Sequence, residues 1–446
     1  MKKNRKIIAF LLSLVMIVGL LAACSDGGDS NNGGDSSSSS SGNSSNDAAG
    51  GTIKIGYVNP STGPLAGNGE GADWVISQIE AYVNDTLGGI EIDGTTKKIE
   101  VILYDSQSDT TTCTEMAQKL VEENKVDMLI AIQTPETVIP VTAVAERYGI
   151  PCVAIQAPVN AVASAAADYE WTYHAFWTIE KVYEQFKAMW TLAGYGPNEG
   201  YTVGLAFAND ADGTAWHEIF AQKIVEDGYN LVDPGQYPSG TTDFTNVVSA
   251  FKNADIDILA GTNLPPDFSN LWNQVLQAGI DVGCVTMGKC CLLLGDVEAI
   301  GTDLVEGVMT EVWWTPDHPF VSELTGINCA ELGAAFEEAN SGRTMPQPAG
   351  YAYAALELAV LALQNAGTTV KEDIRDALSQ LDTTTIVGPI KYDQTMGGLT
   401  YGDTVIGGGQ WQKNADGELE LVLIDNSVYS EAPITGKYVA GNASNK

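Results

Sequence analysis

Residues 126–155 read VDMLIAIQTPETVIPVTAVAERYGIPCVAI, and this stretch decides the fold. Met128–Ile132 is a short apolar run that reads as a buried strand. Thr137–Tyr148 reads as a helix, and Cys152–Ile155 as the next strand. Strands that alternate with helices of this length specify a parallel sheet covered on both faces.

The rhythm extends in both directions. Upstream, Ile53–Val58 is a strand, followed by a Pro/Gly-rich loop over Asn59–Gly71. Ala72–Leu87 places Val75, Ile79, Val83 and Leu87 at helical spacing and stops at Gly88-Gly89. Ile99–Tyr104 is a strand, and a helix runs from Ser106–Asp109 to about Asn124. Downstream, an aromatic interval at Trp171–Trp177 precedes a second run. Thr202–Ala208, Ile256–Gly261 and Val282–Met287 read as its strands, and Thr214–Asp227, Phe244–Lys252 and Phe268–Ala278 as its helices. Two such runs predict two α/β lobes. Ala349–Ala366 is a long apolar helix and Lys371–Leu381 another. Gly388–Tyr392, Gly409–Trp411 and Leu419–Ile424 read as antiparallel strands.

The first residues carry an address. Lys2, Lys3, Arg5 and Lys6 precede the apolar run Ile7–Leu21, which is shorter than the roughly 20 residues a membrane span needs. The run ends in Leu21-Ala22-Ala23-Cys24, which resembles the bacterial lipobox. That resemblance implies cleavage before Cys24 and a lipid on its sulfur, the membrane anchor. Residues 25–50 contain only Ser, Gly, Asn, Asp and Ala, so they bury nothing and are expected to form a disordered tether spanning about 25–30 Å root-mean-square. Such a tether suits the outer face of a Gram-positive cell.

Without residues 1–23 the chain holds 18 basic and 57 acidic residues, a net charge of −39. Nucleic acid and anionic membrane are excluded as partners on that charge. Cys113, Cys152, Cys284, Cys290, Cys291 and Cys329 permit disulfides in an exported chain but fit no zinc spacing; scattered buried thiols are the other reading. The histidines His174, His217 and His318 are scattered, with no HExxH pair and no Gly-x-Ser-x-Gly elbow. Gly67-x-Gly69-x-x-Ala72 imitates a dinucleotide fingerprint but lacks the tight strand-to-helix turn. No enzyme, cofactor or metal is expected.

A family resemblance now emerges. Ile53-Lys54-Ile55-Gly56, Ser61–Ala66, Tyr104–Asp109, Val144–Pro151, Tyr237–Phe244, Gln277-Ala278-Gly279 and Val387-Gly388-Pro389 follow one another in an order that resembles the leucine/isoleucine/valine-binding protein family. The resemblance implies a type I periplasmic-binding fold: two Rossmann-like lobes joined by a three-strand hinge. Lobe 1 is expected at 52–175 plus 316–392 and lobe 2 at 176–315 plus 393–440, with crossovers near 174–178, 314–317 and 390–396. The tether and Cys24 occupy 24–51, after the signal at 1–23.

Matched to the family, the lobe-1 pocket falls at Asn68, Gln133-Thr134-Pro135 and Gln156-Ala157-Pro158. Prolines stand where the amino-acid binders use Ser and Thr hydroxyls, leaving Thr134 and the glutamines as substitutes; ordinary turns are the competing reading. In lobe 2 the positions are Asn209–Gly213, Thr262-Asn263 and Gly288-Lys289-Cys290. The resemblance implies a Tyr near Asp212 and an ammonium-binding acid near Cys290, and this chain has neither. Asp212 could supply the charge. Lys289 reads either as the partner of an anionic ligand group or as a solvated loop residue. Phe176 and Trp177 read as ligand-stacking rings or core packing, Trp313-Trp314 as hinge packing, and Tyr351 is placed to reach the cleft.

The function implied is an extracellular, monomeric solute-binding lipoprotein. It captures an amino acid or a related carboxylate or amide and delivers it to the permease subunits of an ABC importer. The alternative is a sensory receptor of the same fold that signals to a membrane partner.

Overall fold

The computed structural model describes residues 51–440. The expected signal at 1–23, Cys24 and the tether lie outside the described residues, apart from Gly51.

The first sheet runs in the order Gln394–Met396, Leu399–Gly402, Thr172–Ala175, Cys152–Ile155, Met128–Ile132, Thr52–Asn59, Thr95–Asp105, Ile90–Ile92. Its six inner strands are parallel and the two outermost pairings antiparallel. The alternation of side chains across a strand explains why both faces are covered. Ile130 and Ile132 enter one apolar cluster with Val75, Ile79 and Leu356. Leu129 and Ala131 enter another with Cys113, Val138 and Val141. Helices Ala72–Ala81 and Gln347–Ala366 thus cover one face, and Thr110–Lys119 and Pro135–Tyr148 the other.

The second sheet runs Leu419–Asp425, Gly407–Lys413, Met309–Val312, Cys284–Lys289, Ile258–Asn263, Thr202–Phe207, Asn230–Val232. The Gly407–Lys413 strand is antiparallel to both of its neighbours, and the rest are parallel. The protein is therefore two α/β lobes. No helix among the described residues is long and apolar enough to cross a membrane.

Three differences from the sequence reading stand out. Residues 178–201, to which that reading assigns no element, hold helix Ile179–Leu192. Its buried face is Val182, Tyr183, Phe186, Met189 and Trp190, a spacing of three and four that marks an amphipathic helix. It packs on strands of the second sheet just after the chain leaves the first at Ala175. The chain returns through Trp313 and Trp314. The third passage lies at 403–406, not 390–396. Leu399–Gly402 pairs in parallel with Thr172–Ala175, and Leu399 and Tyr401 are buried in the lobe-1 core. Lobe 1 thus extends to Gly402. Gly388–Lys391 is antiparallel, as the sequence reading has it, and pairs with Asp382–Thr385 in a separate hairpin.

Candidate functional site

In open parallel sheets the space beyond the carboxyl ends of the strands collects loops and helix N-termini, and ligands bind there. In this protein those ends from both lobes face one narrow cavity. Three non-glycine residues that follow or end parallel strands are left-handed: Gln133 (φ 94°), Gln156 (φ 67°) and Lys289 (φ 61°). Such backbone is costly and is found where a site demands a particular side-chain direction. All three line the cavity.

On the lobe-1 side, Gln156 Nε2 donates to Gln133 Oε1 (2.8 Å), which fixes the pair. Asn68 and Thr134 complete that wall, and Thr134 caps helix Pro135–Tyr148. On the lobe-2 side, Asp210 caps helix Ala211–Glu226 by accepting from Gly213 N (2.7 Å). Asp212 and Trp216, one turn apart, therefore share a face and both reach the cavity. Gly288 is required here. A Cβ at that position would meet the Trp216 ring at 2.8 Å and the Glu311 carboxylate at 3.2 Å.

Lys289 is neither solvated nor free for an anion. It is 8% exposed, and its ammonium lies 3.3 Å from Asp212 Oδ2 and 3.4 Å from Glu136 Oε2. Burial works to lower its pKa, but Glu136 and Asp212 overcome this and hold it above the ordinary value. Burial works to raise Glu136 too, and Lys289 holds it below the ordinary value. Asp212 goes the other way. Burial pushes its carboxyl up to about 7, with Lys289 opposing and Glu136 adding to the rise. Glu311, on strand Met309–Val312, is pushed by burial up to about 8. One ammonium thus meets two carboxyls, and a third, Glu311, stands in the same wall.

Aromatic rings form the remaining walls. Phe176, Trp177, Trp216 and Trp313 all line the cavity. Trp177 meets Trp216 at 86° and Phe176 meets Trp313 at 82°, so the rings stand as perpendicular panels. Trp313 N donates to Gln347 Oε1 (2.7 Å), and Trp314 Nε1 to Ile386 O (3.0 Å). Trp314 is hinge packing; Trp313 is also a cavity wall. Tyr351 is buried against Phe176 and Trp313 and does not line the cavity.

Among the expected site residues, Asn68, Gln133, Thr134, Gln156, Trp177, Asp212 and Lys289 line the cavity. Ala157, Asn263 and Cys290 do not. Ala157 is core, with its carbonyl bonded to His174 Nε2 (2.6 Å). The Asn263 amide is turned away to Ala206 O and Tyr237, and its neighbour Thr262 lines the wall instead. Cys290 points into the lobe-2 core. Sequence reasoning passed over Glu136, Trp216, Leu292 and Glu311. A carboxylate inside the apolar strand Met309–Val312, and Trp216 one turn after Asp212, were the available signals. None of the three histidines lines the cavity.

Comparison with known proteins gives this geometry its context. The family model described as periplasmic binding protein matches residues 52–403. The leucine-, isoleucine-, valine-, threonine-, and alanine-binding protein of Pseudomonas aeruginosa is 24% identical over 384 residues, 82% of this chain and 92% of that one. Among solved structures, the leucine-binding protein LivK of Thermotoga maritima has a TM-score of 0.68 at 17% identity, covering 84% of this chain and 99% of its own. A solute-binding protein of an ABC transporter from Rhodopseudomonas palustris HaA2, in complex with p-hydroxybenzoic acid, has a TM-score of 0.66 at 17% identity and coverages of 84% and 96%. The two α/β lobes are those of that fold, and the chain belongs to the periplasmic binding protein family.

Proposed function

We propose that the protein is an extracellular receptor that encloses a small zwitterionic amino acid between its lobes and hands it to an ABC importer. The carrying observation is a set of buried polar atoms on the cavity wall that have no protein partner. They are the indole N–H groups of Trp177, Trp216 and Trp313, the Thr262 hydroxyl, Gln156 Oε1 and Asp212 Oδ1. A buried polar group left unpaired costs about 1–3 kcal/mol, so the wall is built for a guest that supplies both acceptors and donors. The donors suit a carboxylate. Asp212 Oδ1, beside Glu136 and Glu311, suits an ammonium.

A benzoate, the ligand in the R. palustris complex, would find the aromatic panels but leave two carboxyls on one ammonium and a third in the same wall. Free amino acids, the ligands named for the P. aeruginosa relative, answer both sets of groups. Closure around the guest shifts the population toward the form an importer would read. Cys24 carries the anchoring lipid in this reading, the receptor acts as a monomer, and it releases its ligand unchanged.

A thermal-shift panel of the free amino acids and hydroxybenzoates tests it. A true ligand at 100 times its dissociation constant adds about 2.7 kcal/mol of stability. Stabilisation by hydroxybenzoates alone, or chemical conversion of the bound compound, would overturn the proposal.

A further inference from the structure

Beyond the ligand wall, the turn that carries Lys289 also holds two adjacent cysteines. Cys290 Sγ and Cys291 Sγ lie 3.6 Å apart, and both side chains are fully buried. Lys289 is left-handed, and Cys290 N donates to Gly288 O (2.6 Å), closing a three-residue turn. The residues flanking the pair, Lys289 and Leu292, are cavity wall. We propose that Cys290 and Cys291 form a reversible vicinal disulfide that reshapes this wall, making the ligand site sensitive to redox conditions. The proposal rests on reading the interlobe cavity as the ligand site.

The first argument is proximity. A disulfide places its sulfurs about 2.05 Å apart, so these thiols, already in contact, need only a rotation of each side chain and a twist of the peptide between them. Adjacent Cα atoms are about 3.8 Å apart, below the usual disulfide range of roughly 4.4–6.8 Å. Such a bond is strained, and strained bonds are the labile, regulatory kind.

The second argument is the cover. The turn is capped by lobe 1: Gln347 Nε2 donates to Leu292 O (3.5 Å), and Leu293 packs against Gly67 at a distance that leaves no room for a Cβ. Both thiols lie in the lobe-2 core, so parting the lobes removes these lobe-1 contacts and the turn must then shift by itself to expose them. While it is hidden, burial and the neighbouring thiol hold Cys290 well above the ordinary thiol pKa, so it is unreactive.

The third is the readout. Cys291 O accepts from Trp411 Nε1 (2.7 Å), so ring closure moves the environment of an indole. The chemistry balances as thiol–disulfide exchange with a low-molecular-weight disulfide RSSR. One cysteine thiolate attacks RSSR, forming a mixed disulfide and releasing RSH. The second thiolate then attacks the protein sulfur of that mixed disulfide, forming the Cys290–Cys291 bond and releasing the second RSH.

The experiment treats reduced, ligand-free protein with oxidised glutathione, then measures mass, link position and tryptophan emission. The expected product has lost two hydrogens, with the link mapped between Cys290 and Cys291 and an emission change that dithiothreitol reverses. Cys291→Ser should stop at a glutathione adduct on Cys290. If that variant does not fold, the wild-type mass and link position decide the matter alone. An unchanged thiol count after unfolding, a stable glutathione adduct on the wild type, or a link to any other cysteine would overturn the proposal. None of these readouts uses a ligand, so failure here is distinct from failure of the amino-acid reading.

Discussion

Lys289 in lobe 2 meets Glu136 in lobe 1 at 3.4 Å, 153 residues away in sequence. The same ammonium is 3.3 Å from Asp212 of its own lobe. A single side chain thus ties the two lobes across the cavity while neutralising part of its acidic wall. The pair spans the surface that must separate when the lobes open.

Removing that ammonium leaves Glu136 and Asp212 without their counter-charge, with Glu311 in the same wall. Breaking a buried ion pair by deleting one partner costs about 3–5 kcal/mol. Lys289→Ala is therefore expected to lose stability on that scale at pH 8 in urea unfolding. The loss should shrink at pH 5, where Asp212 and Glu311 are protonated. A loss below about 1 kcal/mol at pH 8 would place Lys289 among ordinary surface pairs.

Asp212 gives the amino-acid reading a pH signature. Its carboxyl is pushed up to about 7, and a bound ammonium favours the ionised form. Binding then releases a proton, and affinity rises with pH from about 6 to 8, by at most about tenfold per unit. Calorimetry in buffers of different ionisation enthalpy reads the proton directly. Asp212→Asn should weaken an amino acid by about 10- to 100-fold, the equivalent of a charge-assisted bond of roughly 1.5–3 kcal/mol, and should flatten the profile. Proton uptake on binding contradicts the assignment.

Glu357 is fully buried in helix Gln347–Ala366, where its Oε2 accepts from Ile386 N (2.9 Å). Burial pushes its carboxyl up from 4.5 to about 8. Between those values the folded state holds a proton that the unfolded state has lost, so stability falls as pH rises through this window. The slope from this one group is at most about 1.4 kcal/mol per unit. Glu357→Gln keeps an acceptor for Ile386 N and should remove that contribution. Chemical denaturation at pH 5 and pH 8 should show the variant gaining on wild type at the higher pH. Parallel profiles would mean that Glu357 does not titrate in this range.

Cys24 is the proposed anchor. Cys24→Ala should appear in the medium or remain unprocessed when the protein is expressed in a bacterium that lipidates such chains. Fractionation checks this. A variant as firmly membrane-bound as wild type would sink the lipid assignment.

The two lobes were legible in the chain because strand and helix periods are local. Met128–Ile132 and Cys152–Ile155 are bounded as the apolar runs are, since a fully buried strand must be apolar on both faces. Gln133, Gln156 and Asp212 were placed by matching the positions of the family the chain resembles, and the two glutamines also fall just after strands that the apolar runs mark. The third hinge passage could not. Whether Leu399–Gly402 joins the first sheet or the second depends on its pairing with Thr172–Ala175, more than 200 residues away in sequence. The charge of the site was equally hidden. Lys289 read as a free cation until folding brought Glu136 and Asp212 to its ammonium and set Glu311 in the same wall. Periodicity records which face of an element is buried. Only tertiary packing decides which charges are buried together, because Coulomb interactions depend on distance in space and on the water that folding has removed.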